Sequence, residues 1–133
     1  SNRLDHPSWQ LRLAADGSAV MAARFDQLVL FDGERLAVRW EPRRLSEREA
    51  SSPIRGMEMG RDGRVLWVST GRGGADGYRI HAFDAASGRS LQRWVAPSWA
   101  ASLQSLEHGR ALVALLPNPG EVQLFRLGET AVR

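Results

Sequence analysis

The chain has 133 residues, a formal net charge of +3 and 43% hydrophobic content, which is enough to bury a core and too apolar for intrinsic disorder, so one domain spanning 1–133 is expected. No apolar run approaches the roughly 20 residues a membrane-spanning helix needs, the longest being Ala111–Leu116, and the N-terminus lacks a signal-peptide pattern. Cysteine is absent, which excludes disulfides and thiolate chemistry and is compatible with a cytoplasmic or a periplasmic compartment.

All 18 basic residues are arginine. Alongside abundant Ala, Gly and Leu this reads as the codon usage of a GC-rich genome. The arginines are interleaved with Glu and Asp and not massed on one element, so no nucleic-acid partner is expected.

In chain order, Trp9 to Gly17 reads as an alternating strand entering a tight turn, followed by the small and branched residues Ala19–Ala23 of a second strand. Gln27–Phe31 is a third strand, Asp32-Gly33 a hairpin signal, and Arg35–Trp40 a fourth strand. The pattern then repeats. Ile54 to Gly63, Val65–Val68, Tyr78–Phe83, the turn Asp84–Gly88 and Ser90–Trp94 make a second set. Trp99 to Gly109, Ala111–Leu116, Val122–Phe125, the turn Leu127-Gly128 and a stub at Thr130–Arg133 make a third. Each second strand is apolar throughout, as suits burial on both faces.

The turn glycines Gly17, Gly63 and Gly109 stand 46 residues apart, a period typical of four-stranded propeller blades. The expected fold is therefore all-β, with three four-stranded antiparallel blades at roughly 7–42, 53–96 and 97–133. Three blades do not close a ring, and exposed edges invite pairing. The chain is accordingly read as a partial propeller or as half of a six-bladed assembly, with a homodimer as the alternative to the remaining blades of a longer protein.

The segment Ile80 to Trp94 resembles the third-strand, turn and fourth-strand unit of bacterial propellers of the quinoprotein-like and YVTN-type repeat families, and Gly60–Ser69 is similar to their first turn and second strand. The outer repeats share the pattern only. Quinoprotein repeats carry a docking tryptophan four residues after the turn glycine, where this chain has Gln92, with Trp94 two further on. That departure argues against a quinone cofactor. The Gly-His opening and Trp-Asp ending of WD repeats are missing; Phe31-Asp32 and Phe83-Asp84 are loosely similar.

In an antiparallel blade the turns between first and second and between third and fourth strands share one face. The loops between second and third strands and the crossovers between blades share the other. Every long insertion falls on that second face: Glu41–Pro53, Thr70–Gly77 and Leu116–Gly120. Long loops on a rigid scaffold are common binding elements. The candidate partner-binding residues are Arg43, Arg44 and Arg48 from the first insertion, Arg72 and Asp76 from the second and Asn118 from the third. Ser46 and Glu49 could cap one helical turn, and Glu41, Glu47 and Glu49 partly neutralise the arginines there. Gly71–Gly74 lacks the lysine and the following helix of a phosphate loop and reads as a flexible hairpin connection.

No catalytic constellation emerges. His6, His81 and His108 lack metal-ligand spacing, and His81 fits a surface or inter-blade packing role. Asp16, Asp32, Asp62 and Asp84 sit beside turns, where their side chains cap local backbone. Among the tryptophans, Trp67 reads as core, whereas Trp9, Trp40, Trp94 and Trp99 lie at strand ends that seal blade contacts or build a sugar-stacking site. The functional expectation is a non-enzymatic binding or scaffold module, without cofactor or metal, presenting its long-loop face to a protein partner. The alternatives are a lectin-like propeller using those rim tryptophans, or part of a larger propeller enzyme.

Overall fold

In a computed structural model of the chain, the residues described are 10–14, 17–24, 27–44, 54–60, 63–71, 77–118 and 120–129. They form three antiparallel sheets. The first holds β1 (Gln10–Leu13), β2 (Ala19–Arg24), β3 (Gln27–Asp32) and β4 (Val38–Arg44), in that spatial order. The second holds β5 (Ile54–Met59), β6 (Val65–Gly71), β7 (Tyr78–Asp84) and β8 (Ser90–Ala96). The third holds β9 (Ser102–Leu106), β10 (Ala111–Leu116) and β11 (Glu121–Arg126); the expected fourth strand at Thr130–Arg133 lies outside the described residues. Helix is confined, among the described residues, to one 3-10 turn at Glu107–Gly109.

The repeat is visible in the backbone. Gly17 and Gly63 take φ of 76° and 74°, and their amides donate to the carbonyls of Ala14 and Gly60 at 2.9 and 2.8 Å. A left-handed residue at this point lets a short turn reverse the strand, and glycine takes it without a Cβ clash. The third turn differs. Glu107 and His108 also adopt positive φ, 53° and 57°, so the expected plain His108-Gly109 turn is wound into the 3-10 turn. One cross-strand bond recurs in all three sheets: Gly33 to Ser18, Ala85 to Arg64 and Leu127 to Arg110, each amide donating at 2.9–3.0 Å.

Several boundaries differ from the sequence expectation, among them β6, which runs on through Thr70 and Gly71 of the expected loop, and β8, which runs on to Ala96. The fourth strand of the first sheet is not Arg35–Trp40 but Val38–Arg44, because Leu28 pairs with Arg43 and Gln27 with Arg44. Pro42 reads as a breaker, yet β4 is the outermost strand, where a missing N–H costs no ladder bond, and the register slips between Leu28 and Leu30 to pass it. Arg35 to Ala37 instead belong to the turn, where Leu36 takes φ of 56°, the role of Gly88 (φ 77°) in the second sheet; Leu36 and Gly88 donate to the carbonyls of Asp32 and Asp84, both at 2.7 Å. Finally, β9 begins at Ser102 and leaves Trp99 in the crossover.

The second sheet is sandwiched between the other two, which is why β6 is buried along its whole length. Leu66, Val68 and Phe83 pack with Ala19, Met21, Leu28 and Leu30 of the first sheet. From the opposite face Val65, Trp67, Ile80 and Trp94 pack with Leu112, Ala114, Leu116 and Phe125 of the third. Successive strand residues point to opposite faces, so one strand serves two seams. β5 lies beside both β1 and β9, which places the first strand of each sheet innermost. The chain thus folds as three propeller-type blades, stacked in sequence order around a common inner edge.

Candidate functional site

The inner edge is where the three blades meet, and Glu58 of β5 ties them together. Its Oε1 receives Arg12 Nη2 of β1 at 3.3 Å, and its Oε2 receives both the amide and the hydroxyl of Ser105 of β9 at 3.2 Å. Arg12 and Glu58 stand 46 residues apart, the repeat interval, so they are the same position in successive blades carrying opposite charges. The pair is half exposed on the arginine side, and its contribution is register more than stability.

Towards the long-loop end of these strands lies an open depression of about 240 Å³, lined by Gln10 and Arg12 of the first blade, Arg55 to Met57 of the second and Ala100 to Leu103 of the third. Gln10 donates to the Ile54 carbonyl at 3.3 Å, and Arg55 Nε to the Gly71 carbonyl at 2.9 Å. The Arg55 guanidinium is thereby tethered through Nε to Gly71, as that of Arg12 is through Nη2 to Glu58. Gly56 permits the close approach of the walls: a Cβ there would stand 3.1 Å from Ser69 Oγ and 3.2 Å from Leu103 Cδ1. Ser69 Oγ behind it is buried without a hydrogen-bond partner among the described residues. Trp99, 45% exposed, immediately precedes the third wall. The depression therefore offers cationic and amide donors, which suit an acidic peptide or polar ligand.

The sequence-predicted site residues are scattered relative to it. Arg43 and Arg44 are on β4, the outermost strand, and not in a loop. Asn118 is exposed in the turn between β10 and β11. Arg48, Arg72, Asp76 and Trp9 lie outside the described residues, and of Trp40 only its place on β4 is described. Trp94 does not offer its ring to a sugar. It stacks on Trp67 at 5.6 Å and 18°, meets Phe125 edge-on at 5.6 Å, and donates Nε1 to the Glu129 carbonyl at 2.9 Å. Of the four rim tryptophans Trp99 is the one exposed among those whose side chains are described. Gln92, standing where the docking tryptophan of quinoprotein repeats would be, docks in its own way: its Nε2 donates to the Glu129 carbonyl and its Oε1 accepts from the Gly128 amide, both at 2.8 Å. Arg12, Arg55, Glu58 and Ser105 were not singled out in sequence. Reading the first strands at the repeat interval aligns Arg12 with Glu58, and that alignment was the signal available.

His81 is buried on the face toward the first blade, 3.0 Å from Thr70 Oγ1 and stacked on Phe83. Burial, with Arg93 and Arg79 nearby, pushes its pKa down to about 4, so it is a neutral packing residue at neutral pH and not a surface one. Asp32 and Asp84 cap their turns: Asp32 Oδ1 accepts from the Glu34 amide at 2.9 Å and Asp84 Oδ2 from the Ser87 amide and hydroxyl at 3.0 and 2.6 Å. The Ser87 hydroxyl holds the Asp84 carboxyl below the usual range. Among the described residues no group of three or more His, Asp or Glu is placed to hold a metal, and no helix is long and apolar enough to cross a membrane.

No family model and no curated protein matches the chain in sequence. Solved structures do match in shape. The β-propeller domain of Cps50 (Swd1) from Myceliophteria thermophila superposes with a TM-score of 0.70 at 20% identity, covering 96% of this chain and 38% of that one. The RRP9 WD40 repeats give 0.68 at 16% identity, with 96% and 38% covered. A periplasmic gluconolactonase of Pseudomonas aeruginosa, PpgL, gives 0.65 at 20% identity, with 93% and 38% covered. The shared property is the β-propeller fold, and the chain spans about two-fifths of the length of these neighbours.

Proposed function

We propose that the chain is a non-enzymatic propeller module that binds an acidic segment of a protein partner at the long-loop end of its inner edge. The observation that carries this reading is the depression built from all three blades and lined by Arg12 and Arg55, with the exposed Trp99 next in sequence to the lining segment Ala100 to Leu103. Arginine and tryptophan are the residue types that dominate binding energy at protein interfaces. The fold itself is neutral on the point, since its structural neighbours include WD40 repeats and a gluconolactonase. Burial of Trp94 weakens the lectin-like alternative, which needs open aromatic faces.

The test is binding of the chain to a peptide array graded in charge, run beside a glycan panel. Acidic peptides are expected to be retained, with Trp99→Ala and Arg55→Ala each weakening binding about tenfold, near 1.4 kcal/mol. Glycan retention lost in Trp99→Ala, with no peptide retained, would replace this reading by the lectin-like one.

A further inference from the structure

The inner edge carries two rows of residues, one above the other. In the lower row Arg12 of β1 and Ser105 of β9 flank Glu58 of β5, and both oxygens of its carboxylate are engaged: Oε1 by Arg12 Nη2 at 3.3 Å, Oε2 by the Ser105 amide and hydroxyl at 3.2 Å. Two residues earlier on each strand, and therefore on the same face, stand Gln10, Gly56 and Leu103. This upper row lines the depression at the long-loop end. The pairing across the seam is kept, since a Cβ on Gly56 would stand 3.2 Å from Leu103 Cδ1, just as Glu58 meets Ser105.

One difference between the rows decides what the upper one fits. Strand amides two residues apart point the same way, and β9 holds a regular register against β10 from Ser102 to Leu106. The Ser105 amide points toward β5 and finds Glu58. The Leu103 amide points toward β5 as well, but there it faces Gly56, which has no side chain, and among the described residues it makes no hydrogen bond to that strand. Arg12 belongs to the lower row and also lines the depression, and Arg55, tethered through Nε to the Gly71 carbonyl at 2.9 Å, lines it too. The upper row thus has the donors of a carboxylate site, two guanidinium groups and a strand amide, while β5 puts no acid in it. Behind Gly56 the Ser69 hydroxyl is buried without a partner among the described residues. The back wall is therefore polar, and an apolar plug would leave that hydroxyl unmet at a cost.

We propose that the depression seats a single carboxylate of the bound partner beside Gly56, placed against Leu103 as the Glu58 carboxylate is placed against Ser105. This rests on the acidic-segment reading and narrows it, because one residue of the partner, and not its overall charge, carries the recognition. Charge-assisted bonds are about twice as strong as neutral ones, and those from arginine are directional. Gly56 is the specificity-determining position, since any side chain there takes the ligand's place.

The test takes the tightest acidic peptide retained by the 133-residue chain and replaces each Asp by Asn and each Glu by Gln, one at a time, with dissociation constants measured by titration calorimetry. One replacement is expected to weaken binding at least about tenfold and the others by no more than about threefold. Uniform small losses show attraction by charge alone; they overturn the seat and leave the acidic-partner reading standing. Failure to retain any acidic peptide overturns both. A neutralised peptide with a free C-terminus, set beside its C-terminal amide, separates the two sources of a carboxylate: retention of the free acid alone seats a terminal carboxylate, retention of neither seats a side chain, and equal retention of both overturns the seat. Gly56→Ala is expected to weaken the parent peptide at least about tenfold with an unchanged strand circular-dichroism spectrum, and wild-type affinity in that variant overturns the proposal. The peptide scan, which leaves the chain unaltered, decides the case even where the added methyl disturbs the seam.

Discussion

The seam between the first and second blades and the seam between the second and third solve the same packing problem with different side chains. The first is mainly aliphatic and thioether, built on Met21, Leu28, Leu30, Met57 and Met59 with Phe83 as the one phenylalanine of the cluster. The second is aromatic, with Trp67, Trp94 and Phe125 in mutual contact. Met21 and Trp67 occupy the same place in the repeat, but only the indole brings a polar atom that must be satisfied when buried. Trp67 Nε1 donates to the Gly109 carbonyl at 2.8 Å, and Gln92 and Trp94 add three further bonds to Gly128 and Glu129. An adaptable methionine fills space, whereas an aromatic seam fixes the distance and rotation of one blade on the next. The same repeat thus holds one pair of blades by volume and the other by direction.

The largest expected effect separates the seams directly. Trp67→Ala should cost about 3–5 kcal/mol, measured by urea unfolding, since it removes the largest buried ring and leaves the Gly109 carbonyl unpaired. Met21→Ala should cost less within the usual 2–5 kcal/mol range for such truncations, having no bond to lose. Equal losses would show that the aromatic seam adds no more than area.

The first seam has a weakness that the second lacks, its buried neutral histidine. His81 titrates near 4 when folded, against 6.5 for the free group, so the unfolded chain binds a proton that the folded chain refuses. Its stabilising contribution is complete above pH 6.5 and is lost as pH falls from 6.5 to 4, by up to about 3 kcal/mol. His81→Gln, the residue type that occupies the equivalent place in the third blade as Gln123, should abolish that pH dependence in unfolding measurements. A slope that persists in the variant would assign it to other groups.

Ala14 and Gly60 provide a smaller comparison. They sit at the same turn position, and the first seam has room for a methyl there. A Cβ on Gly60, however, would come within 2.6 Å of Gly109 Cα. Gly60→Ala is expected to destabilise by about 1–3 kcal/mol, the cost typical of overpacking, in a thermal melt where Ala14→Gly costs about 1 kcal/mol or less. The smallest effect is a gain. Leu36 is 63% exposed and holds a left-handed conformation at φ 56°, so Leu36→Gly, copying Gly88, should stabilise by up to about 1 kcal/mol. No change in the melting temperature would mean that exposed contacts of Leu36 offset the backbone strain.

Much of the fold was legible because its signals are local. Glycines at a fixed interval, apolar second strands and Asp-containing turns each act within a few residues, and the observed strands follow them. The start of the first blade's fourth strand misled for the same reason: Leu36 gives no sign in sequence that it must take a glycine's conformation. The candidate site was less legible. Arg43 and Arg44 attracted notice as a basic cluster, but the residues that line the depression, Gln10 and Arg12, Arg55 to Met57 and Ala100 to Leu103, come from three separate blades and share no local pattern.

The sequence by itself determined the number of repeats, the order of strands within each and which residues alternate toward a core, because periodicity and turn chemistry are short-range properties. The tertiary structure alone decided which face of each blade meets which neighbour, that Glu58 bridges three blades and that Trp94 is packed while Trp99 is exposed. Those outcomes depend on stacking geometry between segments far apart in the chain, where distance and burial, and not residue type, set the role of a side chain.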